Sequence, residues 1–149
     1  MQKDIAVVAA APIRHVARFF HPLHVGLLTS SVPLYLGGLL ADIAYARTYQ
    51  IQWTNFAAWL IAGAMVFTGL AFVWSLFDIS RSSFRVRPAL MVFLLLAAMF
   101  ILGLLNSFIH ARDAYGSMPS GLVLSIIVTV LGFGALWISM RAPRSEVVP

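Results

Sequence analysis

The chain has 149 residues, of which 61% are hydrophobic and 10% charged, and its mean hydropathy is +0.92. An average soluble domain is about 25% charged, so the composition excludes an ordinary globular protein and points to one integral membrane domain. The net charge of +5 lies between apolar runs and forms no patch, which argues against nucleic acid and for topology and anionic lipid.

The chain has no cysteine, which excludes disulfides, iron–sulfur clusters and thiolate metal sites. Residues 1–20 form a basic segment. Lys3 precedes the apolar stretch IAVVAAAP, which runs into Arg14, His15 and Arg18 where a signal peptide would show small residues. Arg14 and Arg18 are four apart, and Ile13, Val16, Ala17 and Phe20 make an apolar stripe. That pattern predicts a short helix lying on the membrane surface.

Residues 21–141 carry four apolar runs, at 23–44, 53–77, 88–109 and 120–140. Each is near the ~20 residues that a helix needs to cross ~30 Å of hydrocarbon. The fold expected is therefore an all-α bundle of four transmembrane helices. Pro33 is expected to kink the first span, whereas Pro88 and Pro119 sit at helix starts. Residues 142–149 form a tail.

Orientation follows from the Lys and Arg residues of the connections. Lys3, Arg14, Arg18, Arg81, Arg85, Arg87, Arg141 and Arg144 fall on one side, and only Arg47 and Arg112 on the other. The positive-inside rule then places both termini in the cytoplasm and loops 45–52 and 111–119 outside, in a multi-pass protein of the bacterial inner membrane. Tyr45, Tyr49, Trp53, Trp59 and Tyr115 fit an aromatic belt on the outer side.

Ile43 begins IAYARTY and Ile109 begins IHARDAY, with Ala46-Arg47 and Ala111-Arg112 65 residues apart. Two repeated helical hairpins would give such a match, as would chance likeness of membrane helix ends. Small residues set helix packing in lipid. The candidates are Gly37, Gly38 and Ala41 on the first helix and Ala58, Ala62 and Gly69 on the second. Gly103 serves the third helix, and Ser125, Thr129 and Gly132 the fourth. Such stripes serve a monomeric bundle, a homodimer or a partner subunit equally well.

The polar residues of the spans fall into two clusters, one at each membrane face, with an apolar middle. His21 and His24 share one helical face at the first helix start, with Asp78 at the same side of the membrane. Two histidines and a carboxylate are suitable ligands for a divalent metal, and interfacial histidines also act as anchors or hydrogen-bond donors. At the other face lie Asp42, Asn106, His110, Arg112 and Asp113. They make either an outward docking site or a buried polar clasp in which Arg112 pairs with Asp42 or Asp113. A bis-histidine haem b within one chain is disfavoured, because about 30 Å of bilayer separates His24 from His110. A phosphate loop, a catalytic triad and paired catalytic carboxylates are all missing from the sequence, so no enzyme is expected.

HPLHVGLL opening the first helix, Asp42, Asp78 and NSFIHARDAY closing the third resemble domain-of-unknown-function family 2231, over roughly residues 20–140. The resemblance implies a small membrane protein of four helices. It also implies a partner role, since some members look like companions of secreted sugar or sorbosone dehydrogenases that use a quinone cofactor. Where members are expected to carry a further histidine in the third helix, this chain has Ala97-Ala98-Met99, which weakens a haem or metal assignment.

The leading expectation is a non-enzymatic membrane subunit that docks a dehydrogenase-type or other membrane partner at the periplasmic face. The alternatives are a haem- or quinone-associated electron carrier using His21 and His24, and a transporter of small solutes or metal.

Overall fold

The computed structural model describes residues 15–17, 20–81, 87–112, 114–141 and 145–147. Four helices run in chain order: α1 (Pro22–Thr48), α2 (Ile51–Arg81), α3 (Arg87–His110) and α4 (Ser120–Arg141). All four are long and apolar enough to cross a membrane. Packing is cyclic, α1 on α2, α2 on α3, α3 on α4 and α4 back on α1, so each helix has two flanking neighbours. The α1–α2 and α3–α4 connections share one end of the bundle, here the hairpin end. The opposite, terminal end holds the start of α1 and the end of α4. There β1 (His15–Ala17) pairs antiparallel with β2 (Ser145–Val147). At 15–17 the backbone is thus a strand, not the surface helix expected for residues 1–20; the flanking residues lie outside the described set.

The helices run past the apolar segments. α1 continues to Thr48 because helical hydrogen bonding does not require apolar side chains, and because Tyr45 still packs inward, 3% exposed. It stops where Tyr49 adopts a left-handed backbone (φ 55°) and donates its N–H to Tyr45 O at 2.8 Å, a left-handed C-terminal cap. Only Tyr49 and Gln50 then join α1 to α2. Helix α1 passes through Pro33 without a break.

One spacing governs the interior. The buried side of α1 is His24, Leu28, Ser31, Tyr35, Gly38, Asp42 and Tyr45. That of α3 is Ala89, Val92, Leu96, Met99, Gly103, Asn106 and His110. Alternating steps of three and four residues are the heptad pattern of helices packed at a shallow left-handed angle. Helix α2 follows it with Ala57, Ile61, Ala64, Thr68, Ala71 and Ser75, and α4 with Gly121, Ser125, Val128, Gly132, Ala135 and Ser139. On α2 this stripe replaces the expected Ala58 and Ala62, and Ala62 is exposed. A helix apolar all round offers no contrast between faces, so two small-residue stripes compete on equal terms. The opposite sides present Leu40, Trp59, Val66, Val130 and Trp137, the apolar coat a bilayer requires.

The middle of the bundle is less apolar than the sequence suggests. Tyr35 is fully buried there; Thr68 donates to its oxygen at 3.3 Å, and Tyr35 donates to Met65 Sδ at 3.2 Å. Gly103 makes room for this group, because a Cβ at that position would lie 2.6 Å from both Met65 Sδ and the Tyr35 oxygen.

Candidate functional site: a buried acid–base network at the hairpin end

Four side chains from three helices meet at the hairpin end. Asp42 comes from α1, Asn106 and His110 from α3, and Ser125 from α4. All are buried, with exposures of 0%, 0%, 7% and 1%. Each occupies the heptad stripe of its helix, and this common position is what brings them together.

The network's bonds form a closed loop. His110 Nε2 meets Asp42 Oδ1 at 2.8 Å, and His110 Nδ1 meets the backbone oxygen of Asn106 at 3.0 Å. Ser125 Oγ donates to Asp42 Oδ2 at 2.5 Å and accepts from Asn106 Nδ2 at 2.9 Å. The Thr129 hydroxyl donates to Ser125 O at 2.6 Å, one turn further along α4.

Elementary valence fixes the protons. A backbone carbonyl only accepts, so His110 Nδ1 carries a hydrogen. Asp42 Oδ1 and His110 Nε2 then face each other across 2.8 Å, a separation that requires one proton between them. Whether that proton resides on nitrogen or on oxygen, Asp42 and His110 together are neutral. Neutrality is what a low-dielectric interior favours, since an isolated buried charge is far costlier than a shared proton. The Ser125 hydroxyl hydrogen is committed to Asp42, so its oxygen must accept, and Asn106 therefore turns its amide nitrogen towards it.

Gly121 completes the site. A Cβ there would lie 2.8 Å from His110 Cε1, so only glycine lets the imidazole approach the first turn of α4 this closely. A cleft of about 250 Å³ opens one turn further out, lined by Tyr45, Ala46, Tyr49, Met118, Pro119 and Leu122.

A family model described as predicted membrane protein (DUF2231) matches residues 20–141, from Phe20 ahead of α1 to the last residue of α4. The chain belongs to this family. No curated protein and no solved structure matches. The DUF2231 segment thus coincides with the four-helix bundle, and both the network and the cleft lie within it.

Of the residues singled out in the sequence, Asp42, Asn106 and His110 come together. Arg112 does not join them. It is exposed beyond the end of α3, and the Asp42 carboxylate is taken up by His110 and Ser125 instead. An arginine in the turn after a helix projects to water, whereas His110 is the last residue on the buried stripe. Asp113 lies outside the described residues.

At the terminal end, His21 and His24 have separate surroundings. His21 caps α1, its Nδ1 accepting from Leu23 N–H at 3.2 Å, with its ring 5.1 Å from that of Trp74. His24 is fully buried and stacks on Phe20 with ring centroids 5.3 Å apart. The side chain of Asp78, the third ligand considered with them, lies outside the described set. Among the described residues no three of His, Asp, Glu or Cys gather as a metal site.

Ser125, Gly121, Tyr35 and Thr68 were not anticipated in these roles. For Ser125 and Gly121 the signal was available, because both lie on the 121–125–128–132 stripe of α4. Nothing in the sequence pairs Thr68 with Tyr35 across two helices.

Proposed function

We propose that this DUF2231 protein is a non-enzymatic subunit of the bacterial inner membrane, with its hairpin end in the periplasm, where it docks a membrane-associated partner. The buried network carries this reading. It fastens α1, α3 and α4 to one another at the hairpin end and engages Asp42, Asn106, His110 and Ser125 internally. Those side chains serve as a clasp. Docking falls to the exposed rim around it, chiefly Arg47, Gln50, Gln52 and Arg112. A rigid rim lowers the ordering entropy that association must overcome. The asymmetry of eight basic residues against two supports the orientation.

Two measurements test this. Reporter fusions after Arg47 should read periplasmic, and a cytoplasmic signal there overturns the orientation. Photo-crosslinking side chains at Gln52 and Arg112, introduced in the native membrane, should each yield a discrete protein adduct, and a crosslinker at Val130 on the lipid-facing side of α4 should yield none. Adducts to lipid alone at both rim positions would sink the docking role.

A further inference from the structure

The cleft beyond the network has no role in the clasp. Part of its lining is Tyr45 of α1 and Tyr49, the residue that caps α1; their rings meet edge to face with centroids 6.4 Å apart and planes at 67°. The rest of the lining is Ala46 of α1, Met118 and Pro119 from the connection before α4, and Leu122 of α4. At about 250 Å³ the space is below the ~300–1,000 Å³ typical of drug-sized sites, and it suits one substituted ring.

Its chemistry is selective. Aromatic edges, a proline ring and a thioether favour a flat π-system over a saturated chain. The phenol groups of Tyr45 and Tyr49 are the only hydrogen-bond donors among the lining side chains, so a ring bearing acceptor oxygens is matched and a bare hydrocarbon is not. Ala46 is exposed on a helix that is itself a candidate membrane span, which gives an apolar tail a way out into lipid. One turn deeper on α1 is Asp42, with the proton it shares with His110. On α4, Leu122 follows Gly121, against which the His110 ring rests.

We propose that the cleft binds the oxygen-bearing ring of a lipid-soluble quinone, with its tail in the bilayer. The cleft adjoins the docking rim, since Ala46 and Tyr49 are chain neighbours of Arg47 and Gln50, but binding of the ring does not require a partner. Tyr49 is the lining residue with a left-handed backbone, and its ring packs edge to face on that of Tyr45.

The left-handed position makes Tyr49→Gly a clean test. Glycine adopts that conformation without penalty, so the helix cap survives while the aromatic wall is lost. Equilibrium dialysis of the full chain in detergent against a decyl-substituted benzoquinone should show saturable binding of about one molecule per chain. Tyr49→Gly should weaken it about tenfold or more at an unchanged melting temperature. Ala46→Trp, which fills the cleft from its exposed side, should have the same effect. Decanol, the tail without the ring, should not compete. The proposal is overturned if folded wild-type protein shows no saturable binding, if both variants bind as well as wild type, or if decanol competes equally, which would make the cleft an acyl-chain crevice.

Discussion

His110 and His21 both stand at ends of helices, yet they work over different distances. His21 bonds to the N–H of Leu23 two residues away, and the bond serves only the start of its own helix. His110 bonds to Asp42, 68 residues away, and through it to Ser125 on a third helix. The difference lies in where each stands relative to the buried stripe of its helix. His21 is exposed, ahead of the buried stripe of α1, whereas His110 is the last position of the stripe of α3. A side chain on the stripe faces the other helices, so an imidazole or carboxylate there can bond across the bundle, although hydroxyls such as Ser31 and Ser139 bond back to their own helix. His21, ahead of the stripe, is satisfied within its own helix.

That contrast predicts a ranked series of stability losses. The largest belongs to Asp42→Ala, which strips His110 Nε2 and the Ser125 hydroxyl of their shared acceptor. Removing one member of a buried pair costs about 3–5 kcal/mol. The loss here should fall near 3, since His110 can shed the shared proton and stay neutral. Thermal or denaturant unfolding in detergent reads it directly. Asp42→Asn sharpens the point: its amide can donate to Nε2 while its carbonyl accepts from Ser125, so the loss should shrink to about 1 kcal/mol.

Next comes Gly121→Ala, whose methyl group would meet His110 Cε1 at 2.8 Å and force the ring aside. Overpacking of this kind costs about 1–3 kcal/mol. If unfolding of this variant matches wild type, the imidazole does not lie where the network needs it.

His21→Ala tests the other side of the comparison. Loss of a helix cap costs about 0.5–2 kcal/mol, and a local cap should not couple to the hairpin end. Its effect should simply add to that of Asp42→Ala; a departure from additivity above about 0.5 kcal/mol would show that the two ends communicate. The smallest effect belongs to Arg112→Ala. The guanidinium is exposed and takes no part in the network, so the loss should be within ~0–1 kcal/mol and equal to that of Arg47→Ala.

The span count was legible in the sequence, because runs of about 20 apolar residues in lipid have essentially one solution. Helix ends were less so. α1 runs four residues past its apolar segment, since Tyr45 packs inward and Thr48 bonds back to Ala44. The membership of the site was half legible. Asp42, Asn106 and His110 stand out as polar in an oily chain, but Arg112 stands out equally and lies elsewhere. Charge alone does not say which side of a helix a residue occupies; the three-four spacing does. It would have put His110 on the stripe with Gly103 and Asn106, and it would have added Ser125, an ordinary helix hydroxyl until its register is compared with that of Gly121 and Val128. The Tyr35–Thr68 contact depends on how α1 and α2 are rotated against each other, which no local pattern in an all-apolar helix specifies.

The central claim is that Asp42 and His110 act as one unit, and a double-mutant cycle tests it most directly. Unfolding free energies would be measured for wild type, Asp42→Ala, His110→Ala and the double variant in the same detergent. A shared-proton pair at 2.8 Å predicts that the double variant loses less than the two single losses combined, by about 1–3 kcal/mol. Additivity within about 0.3 kcal/mol would mean that the two side chains do not hold each other, and the clasp would be refuted.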